Sequence, residues 1–201
     1  NTALAVGKKI TYVKVSTFNS YTSKPITIVM AKDLLHKYFT EGISVSDYKS
    51  GDKQLPYKIV KEYKGEELNG INYHQLLPYK QPEDGDAFRV VLGDFVTTED
   101  GTGIVHLAPS FGADDNLVAK QNGIGSLTLV DGQGKFTKEV TDLAGQYVKD
   151  EFYTESDEKP KYPADVQIVI NLKDNNRLFK SEKYEHSYPH CWRTDKPILY
   201  Y

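Results

Sequence analysis

"GTGIVHLAPSFGADD", residues 101–115, is the stretch on which the reading of this chain turns. Gly101 and Gly103 bracket a threonine, and two glycines so close let the backbone turn sharply or approach another group. Ile104-Val105-His106-Leu107 then has strand character, which puts Val105 and Leu107 on one face and His106 on the other. Pro109 and Ser110-Phe111-Gly112 make a turn. A helix is expected from about Ala113 to Asn122-Gly123, where glycine favours termination. One histidine and two carboxylates, Asp114 and Asp115, are thereby set around a tight strand-to-helix turn. An aspartate at such a place most often caps the helix, which stabilises it by ~1 kcal/mol. One of the pair suffices for that. The other is then able to point into a cleft, where a carboxylate can bind a protonated amine, act as a base or ligate a metal. Gly101-Thr102-Gly103 by itself reads first as a hairpin turn, and without a following Gly-Lys-Ser/Thr it is no nucleotide P-loop. His106 reads either as a buried histidine bonded to backbone or as a pocket wall that moves a proton near neutral pH.

Outward from this stretch the chain is mostly short strands. Residues 10–18 (ITYVKVSTF) alternate apolar and polar, 26–32 (ITIVMAK) form an apolar run, and 57–63 (YKIVKEY) alternate again. Residues 88–96 (FRVVLGDFV) are a strand candidate interrupted by Gly93. Residues 126–130 (SLTLV) and 134–136 (GKF) flank Asp131-Gly132-Gln133-Gly134, a hairpin-like turn. A short helix is expected over 33–39 (DLLHKYF), capped by Asp33, with Leu34, Leu35 and Tyr38 on one face. Residues 150–163 read as a charged connector. Residues 166–172 (VQIVINL) fit a strand or a helix, and 177–188 have strand character. The order predicts a β-rich α+β fold, a β-barrel core with peripheral helices.

Composition narrows the function classes. With 39% hydrophobic and 26% charged residues, a globular fold is expected. A net charge of −3 argues against a broad basic face for duplex nucleic acid. No run of 18 apolar residues is present, so no spanning helix is expected. The single cysteine, Cys191, excludes an internal disulfide and a multi-cysteine zinc site and fits a cytoplasmic protein. No metal site is expected around Asp114 and Asp115, because no further ligands stand at familiar spacing. The chain starts Asn1-Thr2-Ala3 without Met and ends Ile198-Leu199-Tyr200-Tyr201 like an unfinished strand, so a domain cut from a longer protein is expected.

A second cluster, His186-Ser187-Tyr188-Pro189-His190-Cys191-Trp192-Arg193, hints at a thiol nucleophile or zinc. Neighbours on a strand point to opposite faces, however, so His190 is poorly placed to activate Cys191, and a structural strand with aromatic packing is the favoured reading.

Three stretches together resemble the editing domain, connective peptide 1, of class I isoleucyl-tRNA synthetases. "GTGIVHLAPSFGADD" is similar to the family's editing-pocket motif. "NTALAV" (1–6) resembles the segment closing the family's threonine-rich motif, and "HSYPHCWR" (186–193) the strand returning to the catalytic core. His106 favours the isoleucine enzyme, since the valine enzyme usually has lysine there. The ATP-site signatures His-Ile-Gly-His and Lys-Met-Ser-Lys-Ser are missing, so this chain is not expected to activate an amino acid.

The resemblance implies a single editing domain over residues 1–201. It implies hydrolysis of valine mis-attached to the tRNA for isoleucine, with valyl-adenylate as a further candidate. A second site is needed because one methylene is worth only ~1–3 kcal/mol in a binding pocket. His106 and Asp115 are the implied catalytic pair, Asp115 holding the substrate α-ammonium and His106 lining the side-chain and ester region. Asp114 would then cap the helix. Asn1, Thr102, Gly103, Ala108, Pro109, Phe111, Gly112 and Asp114 are the implied substrate-binding residues, Asn1 toward the adenosine end. Implied partners are the 3′ CCA end of the tRNA and the rest of the synthetase in cis, in a monomer without a membrane. No cofactor is implied for editing, ATP and magnesium belonging to the absent catalytic core. The threonine-rich stretch that completes the family's pocket lies before Asn1. Two other readings stay open here: a non-catalytic domain binding the tRNA 3′ end, and the editing domain of a valyl- or leucyl-tRNA synthetase.

Overall fold

The computed structural model describes residues 1–182 and 189–199. Its strands are β1 (Ala3–Val6), β2 (Thr11–Phe18), β3 (Pro25–Ala31), β4 (Lys58–Lys64), β5 (Arg89–Leu92) and β6 (Ile104–Leu107). Its α-helices are α1 (Gly65–Leu68), α2 (Ala113–Gln121) and α3 (Ala164–Asp174). The strands make two three-stranded sheets, ordered β5-β1-β6 and β3-β2-β4. β1 runs parallel to β5 and antiparallel to β6, while β2 is antiparallel to both its neighbours.

The alternation of residues 10–18 does what period 2 demands. In β2 the side chains of Val13, Val15 and Thr17 are buried, and Lys14, Ser16 and Phe18 are half-buried. Valines and an aromatic suit a pleated, packed surface. The partner strand β4 is exposed almost throughout, and only Tyr63 is half-buried. It is an edge strand that carries Lys58, Lys61 and Lys64 beside the exposed Ile59 and Val60.

Sheet β5-β1-β6 divides the core. On one face Val6, Val90, Leu92 and Ile104 pack with Val13, Met30 and Leu34 of the other sheet and its neighbours. On the opposite face Ala3, Ala5, Val91 and Leu107 pack with Ala119 of α2 and with Ile124. Full burial of a side chain such as Leu107 stabilises the fold by roughly 1.5–3 kcal/mol, and Leu107 is 0% exposed.

The expected barrel does not form among the described residues. β1, β5 and β6 have four residues each, and among the described residues no strand ladder joins one sheet's edge to the other's. Residues 126–136, read as two strands, contribute isolated bridges such as Val130 with Phe136 rather than a ladder. The turn between them is real: Asp131 Oδ1 accepts the N–H of Gln133 and of Lys135, both at 2.9 Å.

Other expectations change locally. The helix expected over 33–39 is a 3-10 helix, Lys32–Lys37, with Ala31 at its N-cap and no side-chain cap, so Asp33 sits in the first turn instead. Leu34 and Leu35 are buried as the spacing requires. The strand expected over 88–96 stops at Leu92, before Gly93, where a Cβ would lie 2.6 Å from the Phe95 ring. Residues 166–172 are helical, inside α3. Residues 177–182 carry none of the expected strand, and the remainder of that expected strand, 183–188, lies outside the described residues, as do Tyr200 and Tyr201. No helix among the described residues is long and apolar enough to cross a membrane.

Candidate functional site

The two ends of β6 are built differently. At its start Gly103 is buried at φ +72°, and a Cβ there would lie 2.5 Å from the Cβ of Ala31. Only glycine fits both demands. The Gly103 carbonyl accepts the Tyr12 hydroxyl at 2.7 Å, and that hydroxyl accepts the Gly7 N–H at 2.9 Å. The Thr102 carbonyl accepts the Ala31 N–H at 2.8 Å. Thr102 and Gly103 thus stitch one sheet to the other, away from the cavity described below.

At its end β6 leads into the turn and α2. His106 pairs with Leu4 across the antiparallel ladder and is exposed, while Leu107 pairs with Ala3 and is buried. The Thr2 N–H donates to the Leu107 carbonyl at 2.9 Å, which extends the pairing by one residue. By the pleat, Thr2, Leu4, His106 and Ala108 share one face of the sheet and α2 packs on the other.

Asp115 comes from α2 and closes the turn from that other side. Its Oδ2 accepts the Ala108 N–H at 2.8 Å, and the Asn116 amide donates to the Pro109 carbonyl at 3.0 Å. The Phe111 N–H donates to the Ala108 carbonyl at 2.9 Å. Residues 108–112 are therefore clasped at both ends. The N-cap of α2 is Gly112, without a side-chain cap, so Asp114 does not cap the helix: it lies exposed in the first turn beside Asp115, where its charge still favours the dipole. A Cβ at Gly112 would stand 3.3 Å from the Asp115 carboxylate, a tight approach.

Beside this turn lies a cavity of about 280 Å³. Asn1, Thr2, Ala108, Pro109 and Phe111 form one side of it. The opposite wall comes from three other segments, including Leu76 and Tyr79, Leu129 and Phe136, and Ile168 of α3. Burial and a bond to the Asp142 carboxylate push the Tyr79 hydroxyl up to about 12, which keeps it neutral. The structure therefore brings Asn1, Ala108, Pro109 and Phe111 to one cavity, with Asp115 behind Ala108 and His106 one pleat away on the same face as Thr2. Thr102, Gly103, Gly112, Asp114, His106 and Asp115 do not line the cavity itself. The sequence reading missed Thr2 and the opposite wall. The alternation of Leu127 and Leu129 was a signal that this segment has one apolar face, but not that the face borders a cavity.

The second cluster is a turn. Cys191 accepts the Thr194 N–H and the Asp195 N–H at its carbonyl, and hydrogen bonds from Thr194 and the Arg193 backbone pull its thiol below the ordinary value. His190 bridges to Pro197, and the portion of the cluster at 186–188 lies outside the described residues. Among the described residues no group of three or more His, Cys, Asp or Glu side chains is placed to hold a metal ion.

The fold is that of a CP1 domain. It is similar to the crystal structure of GlLeuRS-CP1, with a TM-score of 0.50 and 15% identity over 90% of this chain and 79% of that one. The sequence is more specific. All of the chain matches isoleucine–tRNA ligases: 56% identity to that of Cytophaga hutchinsonii, 47% to that of Bacteroides fragilis and 43% to that of Clostridium novyi. The chain belongs to the isoleucine–tRNA ligases and spans 20%, 20% and 16% of the length of these three relatives. No protein-family model matches the chain.

Proposed function

We propose that residues 1–201 are the editing domain of an isoleucine–tRNA ligase and hydrolyse the ester of valine mis-attached to the tRNA for isoleucine. The observation that carries this reading is the Asp115 carboxylate, fixed on the Ala108 N–H at the rim of an apolar cavity. One oxygen, Oδ2, holds the turn. The other is left to accept the α-ammonium of an aminoacyl ester, a charge-assisted bond stronger than a neutral one. His106, exposed on the cavity-side face of β6, lines the ester and side-chain region. Asn1 contacts the adenosine end. Thr102 and Gly103 act by fixing the start of β6, and Gly112 by leaving room for Asp115.

The reaction is attack of water on the aminoacyl carbonyl with a ribose hydroxyl as leaving group. Positioning and donors around the ester carry most of the rate. No cofactor takes part, and ATP and magnesium serve the activating site elsewhere in the enzyme. The tRNA 3′ end and the rest of the synthetase are the partners, in a monomeric cytoplasmic enzyme. The isoleucine–tRNA ligase relatives support the isoleucine system over the valine and leucine ones, because the likeness to GlLeuRS-CP1 speaks to fold alone.

The test is a titration of the chain with a nonhydrolysable 3′-adenosine analogue carrying valine, beside its isoleucine counterpart. Tighter binding of the valine form, with amide shifts at His106 and Asp115, is expected. Equal binding of both, or shifts confined to other regions, overturns the reading.

A further inference from the structure

The small net charge of this chain conceals a division. Residues 1–64 carry 11 Lys and 5 Asp or Glu, while residues 65–201 carry 14 Lys or Arg and 23 Asp or Glu. The first part is therefore at +6 and the second at −9. Such asymmetry steers a polyanion toward one side of a molecule. The positive part builds the β3-β2-β4 sheet.

On that sheet the lysines stand against their own electrostatics. Lys14 of β2 and Lys61 of β4 are direct cross-strand partners. Like charges so placed destabilise a sheet. Lys58 pairs with Ser16 on the same face, and Thr27 of β3 pairs with Ser16 from the other side. This is the outer face, because Val13, Val15 and Thr17 turn to the core. Lys58 and Lys61 are exposed and Lys14 is half-buried. No Asp or Glu of the three strands shares this face. Glu62 points the other way and is held by Lys32 at 2.6 Å. Among the described residues Lys14, Lys58 and Lys61 have no ion-pair partner. The Lys61 ammonium lies 4.6 Å from the centre of the Tyr63 ring, which holds it over the sheet.

We propose that this outer face docks the phosphodiester backbone of RNA, upstream of the 3′ end, with Lys14, Lys58 and Lys61 on phosphates and Ser16 and Thr27 as hydroxyl donors. The inference goes beyond the deacylase reading and rests on it only for the kind of partner. An acidic peptide added as a strand would use the backbone edge of β4. Lys14 stands on the central strand, whose two edges are already paired, so only a partner crossing the face reaches it. The repulsion between Lys14 and Lys61 is then a cost that the phosphates relieve.

The experiment titrates the full chain with an RNA hairpin that has no single-stranded 3′ tail. Binding at low salt is expected, with amide shifts at Lys14, Ser16, Lys58 and Lys61. Lys14→Gln combined with Lys61→Gln should weaken it on the order of tenfold and lower the salt slope by roughly two. The melting temperature should hold or rise, since the repulsion is gone. Lys138→Gln with Lys161→Gln changes net charge equally on the acidic part and should leave binding as it was. In the whole synthetase the Lys14 and Lys61 pair of changes should raise KM for valine-charged tRNA severalfold and spare kcat. No hairpin binding overturns the proposal. So do equal losses in the two double variants, a lowered melting temperature with binding unchanged, or polyglutamate binding as tightly as the hairpin. The deacylase reading fails separately: turnover of valine-charged tRNA unchanged by Asp115→Asn in the whole synthetase removes it, whatever the hairpin does.

Discussion

The start and the end of β6 are only a few residues apart, yet they hold their polar groups to opposite ends. At Gly103 the backbone carbonyls are met from the other sheet: that of Gly103 takes the Tyr12 hydroxyl, and that of Thr102 takes the Ala31 N–H. At Ala108 the N–H is met by a carboxylate from a helix, beside a cavity that still contains an unpaired hydroxyl. The first region is finished without a ligand. The second is assembled and then left open. Within one conspicuous stretch, the glycines are architecture and the polar side chains are available for chemistry.

The contrast can be broken most forcefully at Gly103. Gly103→Ala forces a side chain into a left-handed backbone and against Ala31, and should destabilise the fold by roughly 2–5 kcal/mol in urea denaturation. Gly101 also has a positive φ, +60°, but a Cβ added there would meet nothing within 4 Å, so Gly101→Ala should cost only about 1–2 kcal/mol. Equal losses at the two glycines would mean that Gly103 forms no special seam between the sheets. Next comes Asp115. In the whole synthetase, Asp115→Asn should slow deacylation of valine-charged tRNA on the order of 100-fold, about 2.7 kcal/mol. An amide oxygen can still accept the Ala108 N–H, so stability should stay nearly as it was, whereas Asp115→Ala should lose ~1 kcal/mol as well. A rate loss in Ala alone would make Asp115 a clasp and nothing more. His106→Ala should lower the same rate roughly tenfold, about 1.4 kcal/mol, with stability within about 0.5 kcal/mol because the side chain is exposed. The smallest effect is at Asp114, where Asn should cost ~0.5 kcal/mol of thermal stability through the helix dipole. A loss several times larger would mean that Asp114 has a structural role the exposed first turn does not offer.

Much of this was legible in the residues. The alternation of 10–18 and the apolar Ile104–Leu107 run announced β2 and β6, because a half-buried pleated surface imposes its period on sequence. Asp114 and Asp115 pointed correctly to a helix start. What failed did so for identifiable reasons. Strand propensity says nothing about closure, so short strands that fit a barrel formed two open sheets. VQIVINL was undecided because β-branched residues favour strands while the spacing of Val166, Val169 and Ile170 fits a helix, and its tertiary setting chose the helix. Asp114 lost the capping role because Gly112 begins the helix earlier. Thr2 was invisible as a site residue, since its value arises from walls contributed by residues 75–79, 127–143 and α3, far from it in sequence.

The exposed strand β4 has a consequence for handling the protein. Its outer edge presents unpaired backbone groups between apolar Ile59 and Val60, a template on which a second molecule could add a strand. Lys58, Lys61 and Lys64 keep copies apart by mutual repulsion, a guard that acts only over the distance charge is felt. That distance shrinks from about 10 Å at 0.1 M salt to about 3 Å at 1 M. Concentrated salt is therefore the condition under which this chain is most prone to aggregate through its own edge.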